Sequence, residues 1–347
     1  MIYHKSKYRG LGLGIVLLLL VFVFCPLPYF IESPGTAQSS SRVIKFKAKP
    51  EYSTDKLLFT TVRIQQATPL TITLAQLTPF NDVISRKDLM ADSNTAEYNQ
   101  MEKYYMENAG NNAIEAAFKK AQQPIHKKYL GIYVMSILAN SPAKKVLKVG
   151  DVISKIDGHR FASSAAFMHY IHTQRVYHQV TITYQRHGQT RVVKSTLMKL
   201  PQTKQVGLGI SLVDHVHVQT KPRVQVKAGD IGGPSAGLMF TLQIYSQLTR
   251  HDLTHGRIIA GTGTITPEGK VGPIGGIDKK VYAANKAGAK VFLAPRDKVT
   301  KAKLKLDSHY QSNYQTAKKA AQRLHTSMKI VPVDNLNQAI NYLEAHH

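Results

Sequence analysis

Between Leu11 and Phe30 the chain reads LGLGIVLLLLVFVFCPLPYF without one charged residue, and Lys5, Lys7 and Arg9 stand just before it. As a helix, a run of this length reaches about 30 Å, the thickness of a bilayer's hydrocarbon layer. Positive charge stays on the cytoplasmic side, which predicts an N-terminus inside and everything after about residue 32 outside. The run exceeds the roughly 7–15 apolar residues of a cleaved signal peptide, and no small-x-small site follows Pro26 and Pro28, so an uncleaved single-pass anchor is expected. Bulky Phe24 before Cys25 argues against a lipoprotein site.

The 347 residues leave room for about two folded domains beyond such an anchor. A net charge of +25 raises nucleic acid as a partner. The charge is spread along the whole chain, with no homeodomain, zinc-finger, RNA-recognition or basic-zipper pattern, so anionic lipid or wall polymer is the expected counterpart and nucleic acid is not. Cys25 is the single cysteine and lies in the apolar run, which excludes an intrachain disulfide and a cysteine-based zinc site. His251 and His255 resemble a zinc helix with Asp252 in the glutamate place, and His215 and His217 alternate on a predicted strand. No third ligand is indicated for either pair, so no metal and no cofactor is expected.

After the anchor (residues 1–32), Ser33–Ser41 reads as a linker, Val43–Lys47 and Leu57–Gln65 as strands, and Ala96–Gln123 as a helix broken near Gly110. Residues 33–126 are expected to pack on two domains, one over 127–200 and one over 201–347. The first opens with a strand at Tyr129–Ser136 and a turn at Ser141-Pro142-Ala143. It continues with a strand at Val152–Ile156, a tight Asp157-Gly158 turn, a helix over Ser163–Gln174 and two strands, Val180–Arg186 and Thr190–Thr196. That order, with the words YLGIYV, NSPAKK and LKVGDVISKIDG, resembles a PDZ domain, a small barrel with helices. In that family a strand edge after an L-G-I-like loop captures an extended peptide. The resemblance implies Leu130, Gly131 and Ile132 as that loop and the helix near Phe167 as the far wall.

Two stretches carry chemistry. In AGDIGGPSAGLMF, Ala228–Phe240, a glycine-rich loop runs through Pro234 into Ser235, and Ser235, Leu238, Met239 and Leu242 then fall on one helical face. A serine at a helix start stands beside free N–H groups that can hold an oxyanion, here around Gly233–Ala236. The hydroxyl needs a base. In the stretch from Ile258 to Pro295, VGPIGG turns into a helix whose inward stripe is Ile277, Val281, Ala284 and Gly288. Lys280 lies beside that stripe and Lys279 is expected to point away. A lysine held against apolar surface loses hydration, its pKa falls, and it can act as a neutral general base.

Together, GPSAG and TGTIT…GKVGPIGGIDKKVYAA…G resemble the proteolytic domain of Lon-type serine peptidases, over about Gln205 to His347. The resemblance implies Ser235 as nucleophile, Lys280 as base, and Thr262 as the residue that hydrogen-bonds the lysine. With the anchor and the PDZ-like module, the layout resembles the YlbL/SepM-like branch of Gram-positive bacteria. Two departures matter. No Walker A loop is present, because Gly263 to Lys270 has one residue too many and lacks the following Ser/Thr, so ATP-driven unfolding is not expected. Gly232 stands where many Lon enzymes have an acid.

Gly233 to Gly237 also fits the G-x-S-x-G elbow of α/β-hydrolases, with Asp297 and His309 or His325 as partners. That fold, however, runs a strand straight into the serine. A non-catalytic PDZ scaffold for secreted peptides is a third reading. The expectation is therefore an α+β, membrane-anchored, ATP-independent serine endopeptidase outside the cytoplasmic membrane. It would act on exported peptides or proteins, with a homo-oligomer allowed by the resemblance.

Overall fold

The apolar run begins as helix and ends as sheet in the computed structural model, which describes residues 3–47, 52–300, 305 and 310–346. Helix α1 spans Tyr3–Phe24, and strand β1 spans Tyr29–Ser39. Pro26 and Pro28, which lack an amide N–H, stop the helix between them. Tyr29 and Phe30, expected inside a membrane span, are sheet residues. Among the described residues no helix is long and apolar enough to cross a membrane. The expected linker at Ser33–Ser41 is likewise ordered: Ser33–Ser39 is the rest of β1, paired with β3, and Ser40 and Ser41 open a short 3-10 turn.

The elements that follow are β2 (Ile44–Phe46), β3 (Leu57–Gln66), α2 (Pro69–Leu77), β4 (Asp82–Ser85), α3 (Arg86–Met90) and α4 (Thr95–Lys120). Next come β5 (Ile125–Ile137), β6 (Val152–Ile156), α5 (Ser164–His172), β7 (Gln179–Arg186), β8 (Gln189–Thr196), β9 (Met198–Lys199), β10 (Val206–Gly207), β11 (Ile210–Thr220) and β12 (Val224–Val226). The chain closes with α6 (Gly237–Thr249), β13 (Ile259–Gly261), β14 (Thr264–Ile265), β15 (Val271–Gly272), α7 (Ile277–Lys286), β16 (Val291–Pro295), α8 (Asn313–Arg323), β17 (Lys329–Val333) and α9 (Leu336–Ala345).

One sheet joins the two ends of the chain, in the order β17-β16-β13-β3-β1-β4. Strand β3 pairs parallel to β13, Leu57 opposite Ile259, and antiparallel to β1. Helix α6 is buried nearly all round, Thr241, Gln243 and Ser246 included. Leu238, Met239, Phe240, Leu242 and Ile244 are all fully buried. Phe240 meets Phe59 of β3 edge to face, centroids 5.3 Å apart. On the other side of the sheet, Ile277, Val281 and Ala284 of α7 share a core with Ala317 and Ala320 of α8.

A second sheet, β11-β5-β6-β7-β8, lies in the chain between the two halves of the first. Its core gathers Ile132, Val134, Ile153, Phe167 and Ile182. Buried Asp151 takes a two-pronged hydrogen bond from Arg186, both at 2.7 Å. The two sheets are linked by α4, which runs unbroken through Gly110. A side chain there would meet Cβ of Val226 at 3.0 Å, so the glycine admits β12 rather than ending the helix.

Candidate active site

Strand β12 ends at Val226, and ten residues of loop precede α6, which has Ala236 at its N-cap. The loop is pinned from both sides. The Ser235 carbonyl accepts from the Gly263 N–H at 2.8 Å and from the Thr262 hydroxyl at 3.0 Å. Gly233, at φ +84°, donates its N–H to the Glu102 carbonyl at 3.0 Å. Gly233 is therefore committed to α4 and is not an oxyanion donor. The N–H groups of Ser235 and Ala236 have no acceptor among the described residues, which leaves those two for the oxyanion.

Helix α7 opens on Gly276, at φ +62°, where a Cβ would strike Val62 and Glu32. That close entry sets Lys280 one turn in, 3 % exposed. Its Nζ lies 2.6 Å from Ser235 Oγ and 3.3 Å from Thr262 Oγ1. No carboxylate pairs with it among the described residues. Burial pulls the Lys280 pKa down to about 8, against a weaker upward pull from Glu32. An amine with that pKa is neutral in about a tenth of molecules at pH 7 and half at pH 8, hundreds of times more than an ordinary lysine, and a neutral amine accepts the serine proton.

Lys279 does not point away. It is 1 % exposed, and its Nζ is held by Asp82, by Glu32 at 3.2 Å and by Asp278 at 3.4 Å. Burial alone would lower its pKa, but the three carboxylates outweigh that and raise it. Helical periodicity turns only one of the two lysines toward the core; Glu32 of β1 and Asp82 of β4 cover the other from the outer side of α7.

A cavity of about 260 Å³ opens on Ser235 and Lys280, walled by Gln38, Thr60, Val62, Met106 and Ile231. Three of those residues come from β1 and β3, far outside the stretch that resembles a Lon domain. No histidine lines it. Asp297 accepts instead from the Asn313 N–H at 2.7 Å and from Tyr310. His325 sits in the turn after α8, and His309 lies outside the described residues. With a loop rather than a strand before Ser235, the elbow arrangement is not built here. An acid does reach the loop. Glu102 of α4 lies against Gly232 and Gly233, where Cβ atoms would meet it at 2.8 and 3.1 Å, and burial pushes its carboxyl pKa up.

The expected peptide loop is not at an edge. Leu130, Gly131 and Ile132 belong to β5, hydrogen-bonded to β6 on one side and β11 on the other. Ile132 is core at 1 % exposure, and Gly131, at φ +142°, fills a bulge where a Cβ would come within 2.4 Å of the Ile153 carbonyl. The strand at one edge of the sheet, beyond β5, is β11, and the turn leading into it reads Gly207-Leu208-Gly209-Ile210. Helix α5, whose Phe167 points into the core, lies against β10 and β11. The Leu-Gly-Ile word thus occurs twice, at 130–132 and 208–210, and that repetition was the available signal. The Ser164 N–H donates to Asp214 of β11 at 2.6 Å, closing one end of the groove between α5 and β11.

Residues 106–197 match the PDZ domain family, and residues 201–343 match the Lon protease (S16) C-terminal proteolytic domain. The Lon protease of Heliobacterium modesticaldum is 37 % identical over 90 residues, 25 % of this chain and 11 % of its own length. That of Metamycoplasma arthritidis is 32 % identical over 126 residues, 36 % of this chain and 13 % of its own length. That of Campylobacter concisus is 50 % identical over 64 residues, 18 % and 8 % of the two chains. The chain therefore spans only 8 % to 13 % of these relatives. Among solved structures, the PDZ domain of an SdrC-like protein from Listeria monocytogenes is 38 % identical, covering 25 % of this chain and 90 % of that one, with a TM-score of 0.24.

Proposed function

Because the chain carries a PDZ domain and a Lon-type, serine-peptidase proteolytic domain, we propose that it is a membrane-anchored endopeptidase that cuts exported peptides or proteins with a Ser235–Lys280 pair and no ATP. The observation that carries this reading is the 2.6 Å approach of a buried, carboxylate-free Lys280 Nζ to Ser235 Oγ. In the proposed cycle, neutral Lys280 takes the Ser235 proton as Oγ attacks the scissile carbonyl. The resulting oxyanion is held by the Ser235 and Ala236 N–H groups. The C–N bond breaks as Lys280 returns the proton to the leaving amine, which leaves an acyl-enzyme. Lys280 then takes a proton from water, hydroxide adds to the ester, and Ser235 leaves with that proton restored. Thr262 keeps the amine aimed by bonding both Lys280 and the Ser235 carbonyl.

The groove between β11 and α5, entered at Gly207–Ile210, is the docking site for an extended substrate segment in this reading, by strand addition to the first residues of β11, ahead of Asp214–Val218, where Tyr104 and Asn111 of α4 bond the strand's backbone. The N-terminus is cytoplasmic and the two domains lie outside, held by α1, on the strength of Lys5, Lys7 and Arg9 before the apolar run. Peptide cleavage by the full chain without nucleotide, compared with Ser235→Ala and Lys280→Met, tests the dyad. Loss in both variants supports it, whereas activity or peptide docking indifferent to Ser235→Ala would return the chain to a scaffold role.

A further inference from the structure

Helix α2 is built inside out for a helix facing water. Its inner face, Ile72 and Ala75, packs on Ile31 and Ala67. Its outer face carries Leu70, Leu74 and Leu77 at i, i+4 and i+7, with Leu74 52 % and Leu77 78 % exposed. No charged residue occurs from Ile64 to Asn81, in a chain where 19 % of residues are charged. An outward leucine stripe without charges is the pattern of a helix lying in a lipid interface.

Its position gives the occupant. The segment leaving α1 is tied to the start of α2 by a pair of backbone hydrogen bonds, Leu27 N–H to the Ala67 carbonyl at 2.8 Å and Ala67 N–H to the Tyr29 carbonyl at 2.9 Å. The Arg86 N–H donates to the Pro28 carbonyl at 3.0 Å, which brings Arg86 and Lys87 beside the same exit. Half-exposed Tyr29, an interface-seeking residue, stands there too. Length points the same way. The apolar part of α1, Leu11–Phe24, covers about 21 Å at 1.5 Å per residue, roughly 9 Å short of the hydrocarbon layer. A helix that short spans only if its outer end is drawn below the surface. That draws α2, fixed to the same end, down with it. The α2 N-terminus can tolerate such a place because Thr68 and Thr71 cap it reciprocally.

We propose that α2 is a second membrane contact, lying along the interface with Leu70, Leu74 and Leu77 toward the acyl chains and Arg86 and Lys87 toward anionic headgroups. This rests on the reading of α1 as the anchor.

The test uses the full chain in a Cys25→Ser background, reconstituted into vesicles of phosphatidylcholine and phosphatidylglycerol. An environment-sensitive fluorophore is placed singly at Leu77→Cys, at Leu17→Cys in α1 and at Val192→Cys on β8. Quenching by shallow and deep doxyl lipids is then read. Strong loss of emission at position 77 with the shallow quencher, at 17 with the deep one and at neither depth at 192 supports the proposal. Quenching at 17 but not at 77 overturns it and leaves the anchor standing. Quenching at neither 17 nor 77 overturns the anchor and the proposal together. A blue-shifted but unquenched probe at 77, whose shift grows with protein concentration, means that a second copy of the chain covers the stripe, and also overturns it.

Discussion

Lys279 and Lys280 are adjacent, both buried, and electrically opposite: Lys279 is gripped by Glu32, Asp82 and Asp278, while Lys280 faces only the hydroxyls of Ser235 and Thr262. One lysine is stabilised as a cation and its neighbour is set up to lose its proton.

Lys280 is inactive when protonated, so kcat/KM should climb with pH and level off above an inflection near the Lys280 pKa of about 8. Glu32 pulls that pKa upward, so Glu32→Gln should move the rising limb to lower pH. A pH–rate profile on a short peptide reads both. An inflection in the usual histidine range, unmoved by Glu32→Gln, sinks the assignment of the base.

Stability should part the two lysines. The folded pKa of Lys280, about 8, lies below its ordinary 10.5, so the folded chain binds that proton more weakly than the unfolded chain does. The resulting penalty of about 3 kcal/mol is complete below pH 8 and is relieved as pH rises from 8 towards 10.5. Lys280→Met should therefore abolish cleavage yet stabilise the fold by about 1–3 kcal/mol at neutral pH. Lys279→Met strands carboxylates and should cost about 3 kcal/mol or more. Denaturant melts of both variants check the signs.

Thr262→Val removes the hydroxyl shared by Lys280 and the Ser235 carbonyl. At about 1–1.5 kcal/mol for such a bond, kcat should fall roughly tenfold with KM little changed. Thr262→Ser should restore most of it. Equal loss in Ser and Val variants would argue for packing alone.

The two Leu-Gly-Ile words should respond differently. At Gly209, φ +68°, a side chain would press on Ser141 and Met198 beside the groove mouth. Gly209→Val should raise KM for a protein substrate while leaving kcat for a short peptide intact. Gly131→Val meets the Ile153 carbonyl inside the sheet and should unfold the module instead. Circular dichroism and paired kinetics separate the outcomes.

Much of this was legible because it is local. The loop into Ser235, the apolar stripe that buries Lys280, and the strand–turn–helix order of 127–200 are each written within a few turns of chain. What escaped reading depends on distant partners. Ser33–Ser41 has linker composition, but Ser33–Ser39 is held as strand by β3. Lys279 looks solvent-facing until Asp82 and Glu32 arrive from the far side. Gly110 breaks a helix by propensity, at a cost of about 1 kcal/mol, but here it makes room for Val226. Leu130–Ile132 read as a peptide-capturing loop because nothing local says that β11, some eighty residues on, will lie beside them.

Because β3 meets its parallel partner β13 only across the whole second module, the sheet that frames Ser235 cannot close while the chain is still emerging. The inserted module has mostly near-neighbour strand pairings through β5–β8 and can form early. The sheet that backs Ser235 and Lys280 depends on long-range pairing, the slow kind. A chain made from its N-terminus can thus pair β5 to β8 before β3 meets β13. Ser235 and Lys280 therefore come together late, only when α7 and the strands beside it have been made, so the order of synthesis sets when the pair is assembled.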